Sequence, residues 1–118
     1  MLKRINFVTL PVKDQGRALH FYTEKLGFRV FTDQTMGATR WIELQIPGAE
    51  TRLVLHPGPT GATDGKPALA LLADNVKATY EELREKGVEF AQTPKKEPWG
   101  EYATFKDSEG NLVLFAKG

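Results

Sequence analysis

The chain has 118 residues, which suits one compact domain able to bury a core of its own. A formal net charge of +1 gives no basis for a nucleic-acid or membrane-surface partner, and the absence of cysteine excludes disulfides, thiolate metal ligands and cysteine nucleophiles. No apolar run approaches the roughly 20 residues needed to cross a bilayer, and Met1-Leu2-Lys3-Arg4 leads into strand-like sequence without a signal-peptide pattern, so a cytoplasmic protein is expected.

The first strand is predicted at Ile5 to Val12, rich in β-branched and apolar residues and ended by Lys13-Asp14. Asp14 is a suitable helix N-cap, because its carboxylate accepts a bond from an orphan backbone N–H. The helix then runs to about Leu26, with Ala18, Leu19, Tyr22 and Leu26 at helical spacing and Gly27 as the stop. Three strands are expected next: Phe28 to Thr35, Arg40 to Ile46 and Arg52 to His56, with Pro47-Gly48-Ala49-Glu50 turning the last pair. Residues 57–67, opened by Pro57-Gly58-Pro59 and nearly devoid of apolar side chains, read as a mobile connector.

After the connector the same order begins again. Ala68 to Ala73 reads as a strand and Asp74 as a second N-cap. Val76, Tyr80 and Leu83 line one helical face, and Gly87 is the second stop. Strands are expected at Val88 to Gln92, Tyr102 to Lys106 and Asn111 to Ala116, with Asp107-Ser108-Glu109-Gly110 as the final turn. Asp14 and Asp74 stand 60 positions apart, and so do Gly27 and Gly87. This is the mark of a duplication. The fold expected is α+β: two tandem βαβββ modules, residues 1–56 and 68–118, joined by the connector within one domain.

Strand parity sorts the side chains onto two faces. Val8 and Leu10, Ile42, Leu44 and Ile46, Leu53 and Leu55, Leu69 and Leu71, Ala103 and Phe105, and Val113 and Phe115 are expected beneath the helices. The opposite face then carries Phe7, Thr9, Trp41, Glu43, Gln45, Arg52, Val54, His56, Ala68, Ala70, Tyr102, Thr104, Leu112 and Leu114. A tight turn at 47–50 would set Glu43 opposite Val54 and Trp41 roughly opposite His56. Such a mixture of aromatic, aliphatic and polar groups suits a ligand cavity. A dimer interface would also favour it.

Three segments resemble one known superfamily. Ile5-Asn6-Phe7-Val8-Thr9-Leu10, with Val12-Lys13-Asp14 and Phe21-Tyr22-Thr23-Glu24-Lys25-Leu26-Gly27-Phe28, resembles the opening of vicinal oxygen chelate proteins. These include glyoxalase I, the fosfomycin and bleomycin resistance proteins and the extradiol dioxygenases. Ala73-Asp74-Asn75-Val76 through Gly87-Val88 resembles their second helix, and Phe105-Lys106-Asp107-Ser108-Glu109-Gly110-Asn111 their near-terminal turn. The resemblance implies paired βαβββ modules with cupped sheets, and a homodimer. It also implies metal ligands at four positions, and only Glu43 meets the pattern. Phe7, Ala68 (or Pro67, if the register slips) and Leu114 stand where the others would be. A catalytic divalent metal needs about three protein ligands and an open position, so neither a metal nor another cofactor is expected.

Glu43 is a candidate general base, or else the partner of Arg40 or Arg52. His56 ends a strand on the pocket face, whereas His20 reads as a helix-surface residue. Trp99, between Pro98 and Gly100, lies in a loop where an aromatic can close over a ligand. Thr9 and Tyr102 offer hydroxyls. The expectation is a metal-free protein that binds or sequesters a small, aromatic molecule. Phe7, Trp41, Trp99, Tyr102 and Leu114 would be its walls; Thr9, Glu43 and His56 would orient the ligand. The alternative is a glyoxalase-like lyase, isomerase or dioxygenase with an atypical site centred on Glu43.

Overall fold

Apolar and β-branched side chains build β1, Phe7–Val12, which buries Leu10 and Val12 in a computed structural model that describes residues 1–60 and 65–118. Residues 61–64 of the expected connector lie outside the described residues. The chain divides into two units, Met1–Pro59 and Thr60–Gly118. In the first, β1 is followed by α1 (Gln15–His20), a π-helical turn (Phe21–Lys25), β2 (Arg29–Met36), β3 (Thr39–Gln45) and β4 (Arg52–Pro57). In the second come β5 (Leu69–Ala73), α2 (Val76–Glu85), β6 (Phe90–Glu97), β7 (Gly100–Lys106) and β8 (Leu112–Lys117). Strand order is β1-β4-β3-β2 in one sheet and β5-β8-β7-β6 in the other. The first-named pair of each is parallel and the remaining pairs are antiparallel. This is the α+β arrangement of two βαβββ modules that the spacing predicts.

The helices correct the sequence reading by one residue. Asp14 caps α1 as expected, accepting from the Arg17 N–H at 3.0 Å. The second cap is Asn75 rather than Asp74, its side-chain oxygen accepting from the Ala78 N–H at 2.9 Å. Gly27 and Gly87 do end the helices in the left-handed conformation, at φ 77° and 86°. Cap to stop therefore spans 13 positions in the first unit and 12 in the second. The extra residue is taken up by the π turn Phe21–Lys25, so the expected single helix to Leu26 is part α and part π. From that turn the Thr23 hydroxyl donates back to the Leu19 carbonyl of α1 at 2.7 Å.

Each unit has its own apolar core. Leu10, Val12, Ala18, Tyr22, Ile42, Leu44 and Leu55 are essentially sealed in the first, where Tyr22 meets Phe28 edge-on at 5.5 Å. In the second, Phe90 packs edge-on against Tyr80, Phe105 and Phe115. Val8 and Ile46, expected inside, are 39% and 38% exposed. Val8 lies near the start of β1 and Ile46 just past β3, so position at a strand end outweighs parity. β6 is longer than expected. It tolerates Pro94 because it is the last strand of its sheet and its register breaks between Gln92 and Lys95. No helix among the described residues is long and apolar enough to cross a membrane.

Candidate functional site

The duplication lets the two sheets be aligned residue by residue. Thr32 pairs with Glu43 across β2–β3, and Gln92 with Thr104 across β6–β7. In both hairpins one residue bulges out just before that pair: Phe31 in the first unit and Ala91 in the second. Glu43 in turn faces Val54, and Thr104 faces Leu114. On the face away from the helices Phe31 thus corresponds to Ala91, Trp41 to Tyr102, Glu43 to Thr104, Arg52 to Leu112 and Val54 to Leu114.

In the first unit the side chains of this face bond to one another. The Trp41 indole N–H donates to Glu43 Oε2 at 2.9 Å, and Arg52 Nε donates to Glu43 Oε1 at 3.0 Å. Arg52 Nη2 donates to Asn6 Oδ1 at 2.6 Å, and the guanidinium lies 4.0 Å from the centre of the Phe31 ring. Phe7 meets Trp41 edge-on at 5.7 Å. Glu43 pairs with Val54 as expected, but Val54, assigned by parity to the pocket face, is only 1% exposed. Thr9 is exposed beside Val54 in the β1–β4 ladder, and His56 is exposed opposite Pro11.

In the second unit the face is hollow. A half-open cavity of about 430 Å³ is lined by Gly65, Pro67, Ala91, Gln92, Glu97, Trp99, Tyr102, Thr104, Leu112 and Leu114. That volume is within the range of small-ligand pockets. Trp99 occupies the β6–β7 turn, is 63% exposed and stacks on Tyr102 with ring centres 5.3 Å apart and planes 27° from parallel. The rim carries Glu97, whose carboxylate lies 3.2 Å from the exposed Lys95 ammonium and holds that ammonium's pKa above its ordinary value. The buried Asp107 carboxylate fixes the β7–β8 turn. One oxygen accepts from the Glu109 and Asn111 backbone N–H groups at 2.8 and 2.9 Å, and the other from the Asn111 amide at 3.1 Å.

The sequence model of the Glyoxalase/Bleomycin resistance protein/Dioxygenase superfamily matches residues 4–115. The chain belongs to this superfamily. Among superfamily-like folds it is similar to a solved structure of UcmS2, with 37% identity, full coverage of both chains and a TM-score of 0.87. It is also similar to TnmS3, an antibiotic binding protein from Streptomyces sp. CB03234, with 35% identity, 98% and 96% coverage and a TM-score of 0.87. YetH, an uncharacterized Bacillus subtilis (strain 168) protein, shares 38% identity over 97% of this chain and 98% of its own.

As a superfamily member the chain has a donor set that does not fit a divalent metal. Phe7 packs on Trp41, Ala68 has no donor atom in its side chain, Leu114 is a cavity wall, and both Glu43 oxygens accept bonds from Trp41 and Arg52. No cluster of three or more His, Asp or Glu side chains suited to a metal occurs among the described residues. Of the sequence-derived candidates, Phe7, Trp41 and Glu43 gather in the first unit, with Thr9 and His56 on the same sheet outside that cluster. Trp99, Tyr102 and Leu114 gather around the cavity of the second. Sequence reasoning did not single out Ala91, Gln92, Glu97 or Leu112. Parity assigns Leu112 and Thr104 to this face, whereas Ala91 reaches it through a bulge that no sequence period announces.

Proposed function

We propose that this protein is a metal-free binding protein of the bleomycin-resistance type, which takes a small, flat aromatic molecule into the cavity of its second unit and sequesters it. The observation that carries the reading is the cavity beneath the exposed Trp99–Tyr102 stack, walled by Leu112, Leu114 and Ala91. The stacked pair offers a flat surface for a ligand ring, the leucines supply apolar area, and Gln92, Thr104 and the Tyr102 hydroxyl supply a few directional polar groups. The likeness to an antibiotic binding protein over nearly the whole chain supports the same reading. A base role for Glu43 finds no support, because its carboxylate is held by Arg52 and Trp41. The homodimer expected from the resemblance is also proposed, and the exposed Val30, Phe31 and Met36 of β2 are surface that a partner could cover. Light scattering at micromolar concentration tests it; a monomeric mass refutes it.

The test of binding is a fluorescence titration with acridine. Saturable quenching of tryptophan emission is expected, with Trp99→Ala weakening binding roughly three- to tenfold, since an aromatic pair contributes on the order of 1 kcal/mol beyond its area. An absence of saturable binding by acridine and by a panel of other planar aromatics would defeat the proposal.

A further inference from the structure

The two units differ at the bulge in a way that identifies a subsite. Phe31 stands unpaired on β2, yet its ring lies 4.0 Å from the guanidinium of Arg52 on β4, two strands away. The phenyl ring and the guanidinium, which also bonds Glu43 on β3, therefore meet over the face away from the helices. In the second unit the corresponding residues, Ala91 and Leu112, both line the cavity. A ring in one unit has become a methyl group in the other, and an Arg–Glu pair has become Leu112 and Thr104.

From this we infer that Ala91 is the residue that admits the ligand. An uncharged aryl group occupies, in the second unit, the place that the Phe31 ring occupies in the first. The inference rests on the binding reading above and makes it more specific. The space is phenyl-sized because a phenyl ring is what the other copy of the module puts there. It favours an uncharged aryl because Leu112 and Leu114 stand where the first unit has Arg52 and Val54, burying a charge against them is costly, and the Glu97 carboxylate that also lines the cavity repels an anion. Residue 91 is thus a specificity determinant that acts by volume.

The experiment uses the full chain carrying Ala91→Phe, with Ala91→Ser and Ala91→Leu as companions. In ligand-free protein the new ring of Ala91→Phe should shift the methyl proton resonances of Leu112 and Leu114 upfield. In the acridine titration Ala91→Phe should weaken binding at least about tenfold and Ala91→Leu by a smaller factor, while Ala91→Ser stays within about twofold, as expected when a filled space rather than a lost contact is responsible. With the wild-type chain, an acridine carboxylate should bind at least about tenfold more weakly than acridine. Unshifted leucine methyls, or undiminished acridine affinity in Ala91→Phe, would overturn the role of Ala91; equal affinity for the carboxylate would overturn the uncharged class. If the wild-type chain binds no aromatic at all, the binding proposal fails, and the methyl shifts still decide whether a ring at position 91 fills the cavity. If Ala91→Phe does not fold, Ala91→Leu decides: unchanged acridine affinity in that variant counts against the inference.

Discussion

The first unit sets a phenyl ring, an indole, a carboxylate and a guanidinium on the face away from its helices; the second sets a methyl, a phenol, a hydroxyl and an isobutyl group at the same positions. The backbones that hold them share strand order, strand polarity and bulge position. The two copies therefore differ on this face in side-chain volume and charge, not in topology. A duplicated module can thus satisfy its polar groups internally in one copy and line a cavity in the other.

The largest expected effect tests how each unit fixes its last turn. In the second unit Asp107→Ala removes a buried acceptor from two backbone N–H groups and one amide. Orphaning buried donors of this kind costs on the order of 2–3 kcal/mol. The corresponding turn in the first unit relies on the Ala49 N–H donating to the Ile46 carbonyl at 2.9 Å and on Gly48 at φ 88°. Glu50→Ala there should cost less than about 0.5 kcal/mol, because Glu50 is exposed and lies 3.9 Å from an exposed Arg4. Urea unfolding of the two variants measures the difference, and equal losses would show that the turns are not stabilised in different ways.

A second test converts one face toward the other. Arg52→Leu leaves the Glu43 carboxylate, only 13% exposed, with the Trp41 N–H alone, and should cost roughly 2 kcal/mol. Adding Glu43→Thr, which copies the second unit's Leu112 and Thr104, should recover most of that loss, because a partly buried ion pair and an apolar replacement are often close in stability. Neither change should alter acridine affinity by more than about twofold if the cavity of the second unit is the binding site. A large loss of affinity in Glu43→Gln would instead restore the site centred on Glu43.

The fold was legible because its signals are local. Asp14, Gly27 and Gly87 punctuate helices through backbone geometry that few other residues satisfy. Alternation placed Leu10, Ile42, Leu44, Phe105 and Val113 inside correctly. The proposed site is legible only in part. Trp99, Tyr102 and Leu114 could be chosen from residue type and parity, but Ala91 could not. Its side chain is unremarkable, and a bulge changes which face a residue serves without leaving a mark in the sequence. Phe7, Trp41 and Glu43 were placed on the correct face. They satisfy one another there, and composition cannot distinguish a lined cavity from a filled one.

The same limit explains the misplaced cap. Asp74 keeps a 60-residue period with Asp14, but the π turn adds one residue to the first helix, and the period passes to Asn75. Thr23→Val removes the hydroxyl that bonds back from that turn to the Leu19 carbonyl of α1. A loss of about 0.5–1 kcal/mol is expected, in line with one modest hydrogen bond. No effect in thermal unfolding would mean that the wider turn is held by the packing of Phe21 and Tyr22 alone.

The smallest effects separate the two hairpins by pH. In the first unit the Arg40 guanidinium donates to both Asp33 oxygens, at 2.9 and 2.8 Å, and these bonds hold the Asp33 carboxyl below the ordinary carboxylate range. A carboxyl depressed on folding contributes stability that is present above its unfolded pKa and is lost as pH falls through the folded value. The difference between wild type and Asp33→Asn should therefore be seen near pH 6 and vanish in acid well below pH of about 4. It should stay under about 1 kcal/mol and shrink in molar salt, since the pair is near the surface. In the second unit the raised group is Lys95, beside Glu97. Its contribution is present below the ordinary lysine pKa and is lost as pH rises through the folded value. The Lys95→Gln difference should consequently fade at alkaline pH, where the Asp33 difference persists. If both differences faded in the same direction, the two hairpins would not be held by oppositely titrating groups.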